Sequence, residues 1–202
     1  MKLIRTFIAI NIPRETKEEI GRTIENLGSK FKKYSQDLKW VDPFNLHVTL
    51  SFQGSITLED IATLEETVEK VAQSFPPCEI KLGDISYYYT DKKGSDSVIY
   101  IGIVDPEKNI SALYKTLAKQ LRLSGFSPTN RIDPHITIGR LAKRKDRQLQ
   151  TEILDTISTS GTTYVSSPET GIVKVEKLYI YESISMPTQT KYRIIRSFNL
   201  SG

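Results

Sequence analysis

The sequence predicts an α+β fold, with two pseudo-symmetric lobes of antiparallel sheet, helices on the outside and a central cleft. Three observations predict this fold class. Polar and apolar residues alternate in several short segments, as they do in half-buried strands. Elsewhere apolar residues recur every three or four positions, as they do in amphipathic helices. The order strand, helix, strand, helix, strand occurs twice, at approximately 2–90 and 98–199, which indicates an internal repeat within a single bilobal domain, 1–202.

The elements of the first half follow from apolar spacing and from residues that begin or end an element. β-rich residues from Leu3 to Ile10 predict a strand that stops before Pro13. Residues 58–74 predict a helix with Thr57 as its N-terminal cap. The other elements predicted in this half are a helix at 14–33 and strands at 44–52 and 78–90.

The second half repeats this order. Residues 107–124 predict a helix, because four apolar residues share one stripe and Gly125 provides a stop. A weaker pattern predicts another helix at 145–157. Polar loops are predicted at 91–97 and 158–170. The predicted strands are 98–104, 134–140, 172–182 and 191–199.

The chain has two histidines, and each begins the same short motif: His47-x-Thr49 and His135-x-Thr137. On a strand, residues i and i+2 project from the same face, about 6.5–7 Å apart. Each motif therefore presents an imidazole beside a hydroxyl, and Ser51 continues the His47 face as a further candidate contact. A single such histidine is most often an ordinary polar residue on an exposed sheet face. The same motif around both histidines favours a functional pair.

Two His-x-Thr elements supply what acid–base chemistry on a phosphodiester needs. The reaction requires a base for the attacking water and an acid for the leaving oxygen. Imidazole suits both roles, because its ordinary pKa of about 6.5 keeps both protonation states accessible near neutrality. The Thr49 and Thr137 hydroxyls can donate to the non-bridging oxygens and stabilise the charge that builds on phosphorus. The sequence does not fix which histidine is the base.

Longer segments around both motifs resemble the 2H phosphoesterase superfamily, and within it the bacterial and archaeal RNA 2′,3′-cyclic phosphodiesterases, also called 2′-5′ RNA ligases. The resembling segments extend almost from end to end: 5–10 followed by Pro13, Trp40 leading to 45–54, 134–140, and 178–183. The family usually has Phe-Leu-Gly after the first motif, where this chain has Phe52, Gln53 and Gly54. That difference lies outside the His-x-Thr residues.

The resemblance implies a metal-independent RNA 2′,3′-cyclic 3′-phosphodiesterase that needs no cofactor. It implies release of the 3′ oxygen to leave a 2′-phosphate, and reversible 2′-5′ RNA ligation at the same site. RNA with a cyclic-phosphate end is the implied partner, with tRNA fragments among the candidates. The resemblance also implies that Arg140 contacts phosphate or nucleotide and that Phe7 approaches the base. The implied catalytic residues are His47, His135, Thr49 and Thr137.

Basic and aromatic residues near the motifs have two interpretations each. A basic run after the second motif is either a solvated helix start or a track for the RNA backbone, which would make binding salt dependent. It comprises Arg140, Lys143, Arg144, Lys145 and Arg147. Aromatic residues near the strands either pack in the core, which is the more ordinary role, or stack on a terminal base. They include Phe7, Trp40, Phe44 and the tyrosines at 87–89.

Composition narrows the class of protein. With 38% apolar and 26% charged residues and a net charge of +4, the chain resembles an ordinary globular protein that suits an anionic partner. The single Cys78 excludes an internal disulfide and fits a reducing compartment, so a cytoplasmic location is expected. Two histidines and one cysteine leave too few ligands for a zinc site. No segment is apolar for long enough to cross a bilayer, and a monomer is expected.

Two other functions remain open at the level of sequence. One is a phosphodiesterase that acts on small cyclic or 2′-5′ linked nucleotides. The other is a non-catalytic module that binds phosphorylated RNA ends, with the histidines serving as hydrogen-bond donors. The basic run favours a polymeric substrate over a small one, and the intact pair of motifs favours an enzyme over a module.

Overall fold

The structure is a computed structural model, which describes residues 3–90, 96–128, 134–142, 146–160, 171–186 and 190–202. Within these residues the chain forms nine strands and four α-helices. The strands are β1 (Leu3–Asn11), β2 (Leu38–Trp40), β3 (His47–Thr57), β4 (Cys78–Tyr89), β5 (Ser97–Val104), β6 (His135–Leu141), β7 (Ile172–Val175), β8 (Lys177–Ser185) and β9 (Thr190–Asn199). The helices are α1 (Arg14–Lys30), α2 (Asp60–Gln73), α3 (Asn109–Leu123) and α4 (Arg147–Ser160).

One antiparallel sheet contains all of these strands, in the order β7-β4-β5-β6-β3-β1-β8-β9, with β2 paired to β6. The predicted α+β fold is therefore confirmed. The pairing also crosses the predicted halves: β4 pairs with β5, and β8 pairs with β1. The first half thus gives β2 and β4 to the other half's part of the sheet, and the second half gives β8 and β9. The boundaries of the repeat stay a prediction.

The two histidine strands, β3 and β6, are neighbours at the centre of the sheet. Val48 pairs with Ile136, and both side chains are fully buried. Because side chains alternate along a strand, the residues flanking this pair project from the opposite face. These are the four motif residues His47, Thr49, His135 and Thr137. The seam between β3 and β6 therefore sets both motifs on one open face.

The other face of the sheet is covered by helices and forms the core. Helix α2 packs on α3 and on β3, β8 and β9, and α4 packs on β4. Helix α2 begins at Asp60 rather than at residue 58, and its N-cap residue is Glu59 rather than the predicted Thr57. Thr57 still bonds to the first residue of the helix: its Oγ1 accepts from the Asp60 N–H at 3.2 Å, and the Asp60 carboxylate accepts from the Thr57 N–H at 2.9 Å. Gly125 ends α3 as predicted, with a φ of 87° that favours glycine.

Several boundaries differ from the predicted ones. The predicted strand at 172–182 is two strands, because the chain pairs with β4 as far as Val175 and then moves to β1 and β9. The predicted strand at 44–52 begins at His47, because Pro43–Asn45 form a 3-10 turn. The predicted helix at 14–33 ends at Lys30. Strand β2 was not predicted, since three residues are too few for a periodic pattern.

The predicted loops are only partly described. Residues 158–160 of the predicted loop at 158–170 belong to α4, which spans Arg147–Ser160 where the pattern predicted 145–157. Residues 161–170, and 91–95 of the other predicted loop, lie outside the described residues. Among the helices that the structure does describe, none has the length and apolar character needed to span a membrane.

Candidate active site

His47 is held on both sides by residues of its own segment. Its Nδ1 lies 2.7 Å from the Asn45 carbonyl oxygen, and its Nε2 lies 2.9 Å from Thr49 Oγ1. A carbonyl oxygen only accepts, so Nδ1 is the nitrogen that donates. In the neutral ring Nε2 then accepts from the Thr49 hydroxyl. The lone pair on Nε2 is therefore presented beside Thr49, where it can take up a proton.

The surroundings of His47 favour its neutral form. Burial lowers the pKa of His47 to about 4, although the hydrogen bond to the Asn45 carbonyl opposes this change. The positive charges of Lys17 and His135 lower the pKa further. The free protein therefore holds His47 unprotonated near pH 7. The effect of His135 also indicates that the two imidazoles are close enough to interact.

Phe7 packs against the ring of His47. The two ring centroids are 4.8 Å apart. The Phe7 ring also stacks on that of Tyr181, with the centroids 5.1 Å apart, and packs against the Tyr192 ring in a T-shaped arrangement, with the centroids 4.9 Å apart. It is only 3% exposed. Its geometry is therefore that of a packing residue which fixes the His47 ring, and its predicted contact with a base stays a prediction.

His135 lies on β6 among tyrosines of the other half of the sheet. Its ring centroid is 5.0 Å from that of Tyr100 and 5.7 Å from that of Tyr88. Burial raises the pKa of Tyr88, and the nearby charge of Arg140 opposes the rise. Burial also raises the pKa of Tyr192, and the positive charge of Arg140 opposes that rise too. Arg140 is therefore near enough to tyrosines of both β4 and β9 for its charge to act on them.

A cleft of about 330 Å³ opens over the seam between β3 and β6. It brings together His47, Thr49 and Thr137, three of the four motif residues. His135 is not part of this lining and lies toward the tyrosines described above. The remaining lining residues are Arg5, Phe7, Val41, Asn45, Phe52, Arg140, Ser183, Ser185, Thr190 and Tyr192.

Two β-bulges decide which residues after each motif face the cleft. The extra residue is Leu50 in β3 and Ile138 in β6. Each bulge shifts the alternation by one residue. The fifth residue after each histidine therefore faces the cleft in place of the fourth. These fifth residues are Phe52 and Arg140, and both line the cleft.

The bulge in β3 corrects the prediction for Ser51. Strict alternation placed Ser51 on the His47 face, but the extra Leu50 turns it to the core, where it is 1% exposed. Its hydroxyl accepts from Gln53 Nε2 at 2.8 Å. Ser51 does not line the cleft. The prediction that it contacts substrate is therefore wrong for this arrangement.

Several site residues were not singled out in the sequence. The Asn45 carbonyl holds His47, and the Asn45 side chain donates to the Thr190 carbonyl oxygen at 2.9 Å. Asn45 stands two positions before His47 in the resembling segment, which was the only sequence signal for it. The guanidinium of Arg5 lies 5.1 Å from the Phe52 ring centroid in the wall of the cleft. Ser183 belongs to the resembling segment 178–183, whereas the cleft residues Ser185, Thr190 and Tyr192 had no local signal, because they reach the site only through strand pairing.

The predicted basic track is described only at its ends. Arg140 is exposed and lines the cleft. Arg147 lies in α4, with its guanidinium 6.0 Å from the Tyr89 ring centroid. Residues 143–145 lie outside the described residues. The track along the RNA backbone therefore stays a prediction.

The described residues offer no other centre of reactivity at this site. Among them, no three His, Cys, Asp or Glu side chains are grouped so as to hold a metal ion. Cys78 is a free thiol on β4. Burial, with help from Asp105 and Glu107, raises its pKa to about 11, so the thiol stays protonated and unreactive. The polar side chains that line the cleft include those of His47, Thr49, Thr137, Arg5 and Arg140.

Several known proteins are similar to this chain in sequence, and solved structures share its fold. RNA 2′,3′-cyclic phosphodiesterase from Thermotoga maritima is 27% identical over 199 residues, which is 98% of this chain and 97% of that protein. The protein of the same name from Aquifex aeolicus is 26% identical over 204 residues and the full length of both chains. The crystal structure of E. coli LigT in its apo form has the same fold, with a TM-score of 0.71 and 23% identity over all of both chains.

A family model also matches the chain, in two segments. The model is that of the LigT-like phosphoesterases, and the matched segments are residues 12–100 and 101–166. These segments contain both His-x-Thr motifs and the seam on which they meet. The chain therefore belongs to the LigT-like phosphoesterase family.

Proposed function

We propose that this protein opens the 2′,3′-cyclic phosphate at the end of an RNA chain to give a 2′-phosphate, using His47 and His135 as an acid–base pair. The observation that carries the proposal is the common open face of the two His-x-Thr motifs at the seam between β3 and β6. A phosphate placed over this seam has an imidazole and a hydroxyl from each strand around it. Each strand thus supplies one proton-transfer group and one oxyanion donor.

The bond changes assign a task to each motif residue. One histidine accepts a proton from water as the water oxygen bonds to phosphorus, and the other donates a proton to the 3′ oxygen as the P–O3′ bond breaks. Thr49 and Thr137 donate to the non-bridging oxygens, and Arg140 offsets their negative charge. In ligation a 5′-hydroxyl takes the place of the attacking water: its oxygen bonds to phosphorus as the P–O3′ bond breaks, each histidine keeps its role, and the product is a 2′-5′ linkage. The histidines exchange roles in the reverse reaction, in which the 2′-5′ linkage is cleaved and the cyclic phosphate re-forms.

The hydrogen bond between His47 and Thr49 couples proton transfer to oxyanion binding. While Nε2 is unprotonated, the Thr49 hydroxyl points its proton at the ring. Once Nε2 carries a proton, the ring becomes a donor, and the Thr49 proton is released for a phosphate oxygen. An anionic phosphate in the cleft favours the protonated ring and so drives this exchange.

The comparisons support this choice of substrate. Relatives that match nearly the full chain are named RNA 2′,3′-cyclic phosphodiesterase. E. coli LigT, with the same fold at a TM-score of 0.69, has been crystallised in complex with 3′-AMP, a nucleoside monophosphate. We carry a nucleotide substrate over to this chain as part of the proposal. The tRNA fragments, the cytoplasmic location and the monomeric state expected from the sequence stay predictions.

The test is hydrolysis of an oligonucleotide with a 2′,3′-cyclic phosphate end, in EDTA, with the product assigned by phosphorus NMR. We expect a 2′-monophosphate, formed without added metal. His47→Ala and His135→Ala should each abolish turnover, while Cys78→Ala, remote from the cleft, should retain it. Turnover that survives loss of either histidine would refute the acid–base pair. Product binding that persists within a few-fold in the inactive variants would exclude a pure binding module.

A further inference from the structure

A second cavity, of about 280 Å³, adjoins the cleft and takes no part in the proposed reaction. Asn45, His47 and Tyr192 line both spaces. The catalytic imidazole therefore stands at the boundary between them. The other residues that line the second cavity are Asn11, Lys17, Phe44, Leu46, Tyr181 and Ile194.

Two exposed apolar side chains border this cavity. Phe44 is 84% exposed and Ile194 is 51% exposed. The Phe44 ring stands on a fixed turn: its N–H donates to Asp42 Oδ1 at 2.9 Å, and its carbonyl accepts from Lys17 Nζ at 3.1 Å. An exposed aromatic ring on a fixed turn beside a cavity is the kind of platform on which unstacked bases bind in single-stranded nucleic acid sites.

The same cavity carries a positive charge that no acidic residue of its lining offsets. Lys17 is half-buried and donates to Asn11 Oδ1 at 2.9 Å as well as to the Phe44 carbonyl. An ammonium group has three protons, so one remains for an anionic ligand. No Asp or Glu is among the described residues that line this cavity. Its chemistry therefore suits a group with an apolar ring and an anion close together.

We propose that this cavity, the Phe44 subsite, binds the nucleotide that precedes the cyclic-phosphate end of a single-stranded RNA. Its base lies against Phe44 and Ile194, and its phosphate lies at Lys17. The inference rests on the proposed function, because the terminal phosphate must occupy the cleft at His47 for the chain to continue into the adjoining space. It makes the preferred substrate an oligonucleotide and gives Phe44 a role in selecting it.

The path beyond the subsite is also open. Lys17 and Phe44 border a further cavity of about 460 Å³, which runs along α1 and is lined in part by Arg14 and Arg22. This space also contains Glu18 and Glu25, and Arg14 is paired with Glu18 at 2.8 Å. Its charge is therefore mixed, and it provides an exit for the RNA strand rather than another nucleotide site.

The test compares two substrates that differ only in this nucleotide. One is a nucleoside 2′,3′-cyclic monophosphate, and the other is the shortest oligonucleotide, a 5′-phosphorylated dinucleotide with the same cyclic end. Phe44→Ala should lower kcat/KM for the oligonucleotide by roughly 5- to 150-fold, the loss expected for one stacked base, and leave kcat/KM for the mononucleotide unchanged. Phe44→Trp should restore the preference. The matched control is Leu123→Ala, since Leu123 is 72% exposed on α3 and lines none of these cavities.

Each other outcome overturns the subsite in a recognisable way. If the unaltered protein hydrolyses neither substrate, the proposed function fails and the subsite with it. If it hydrolyses both equally and Phe44→Ala changes neither, the function stands and the subsite alone is wrong. An equal loss on both substrates would mean that Phe44 acts by holding the turn before His47. A change in sedimentation with unaltered kinetics would make Phe44 a contact between copies of the chain.

Discussion

Acid should destabilise this protein through one identified side chain, His47. Its pKa is about 4 in the folded protein, mainly because the ring is buried. In the unfolded chain the ordinary value of about 6.5 returns. Between these two values the unfolded chain binds more protons than the folded one, so stability falls as the pH falls. The stability that the protein gains by keeping His47 neutral is fully present above pH 6.5, declines between about pH 6.5 and 4, and is lost at lower pH.

The size of the effect follows from the two pKa values. A difference between about 6.5 and about 4 corresponds to roughly 3 kcal/mol at 1.36 kcal/mol per pKa unit. That is a large share of the 5–15 kcal/mol that stabilises a typical domain. Asp60 and Glu66 have lowered pKa values through hydrogen bonds to Thr57 and Lys70, so they also lose stabilisation in acid. The loss of stability in acid that these two carboxylates cause has to be separated from the loss that His47 causes.

A comparison of the unaltered protein with His47→Gln makes that separation, since both proteins share every other group. Urea unfolding at pH 7 and at pH 4 should show that the unaltered protein loses roughly 3 kcal/mol more than the variant. Proton NMR gives the pKa directly, because the chain has two histidines and His135→Gln assigns the remaining imidazole signal. Equal acid losses in both proteins, or a His47 signal that titrates near 6.5, would refute the reasoning.

Three other perturbations test the site and its frame. Saturation with inorganic phosphate should raise the pKa of His47 above about 4, because an anion favours the protonated ring; an unshifted NMR titration would place the anion elsewhere. Arg140→Ala should lower kcat/KM for the cyclic phosphate by roughly 10- to 150-fold through loss of a charge-assisted hydrogen bond, with partial recovery in Arg140→Lys and an unchanged unfolding midpoint. Gly139→Ala should cost about 1–3 kcal/mol in urea unfolding, because its Cβ would lie 2.9 Å from Trp40 Cε3. Gly102→Ala is its control, since the nearest atom there is 3.7 Å away, and similar losses in both would contradict the packing argument.

Local signals in the sequence were enough for most of the elements and for the two His-x-Thr motifs. Gly125 marked the end of α3, and Thr57 lay near the start of α2, because hydrogen bonds at helix ends and left-handed backbone depend on the residue itself and its close neighbours. The motifs at His47 and His135 were visible because a strand projects i and i+2 together. Where a strand is regular, its sequence alone determines which side chains share a face.

Strict alternation failed where the strands are irregular. It placed Ser51 in the cleft, but the bulge at Leu50 puts Phe52 there. The equivalent bulge at Ile138 puts Arg140 in the cleft, five residues after His135, where alternation alone would have chosen Gly139. The family resemblance pointed to Arg140, which lines the cleft. A family pattern records which position lies near the site even though it does not describe the bulge that puts the residue there. A bulge depends on the partner strand, so no pattern within β3 or β6 reveals it.

The exchange of strands between the halves explains the rest of the site. Strand β8 pairs with β1, so the hairpin of β8 and β9 is brought to the first histidine although it lies some 145 residues further along the chain. This hairpin supplies the Thr190 carbonyl that accepts from the Asn45 side chain. It also supplies the Tyr192 ring, which packs against the His47 ring in a T-shaped arrangement with the centroids 5.1 Å apart. Contacts at that separation have no local signature. They also make the two halves interdependent, because the orientation of the first histidine requires the last two strands to be in place. Each half therefore contains a complete His-x-Thr motif but not a complete site.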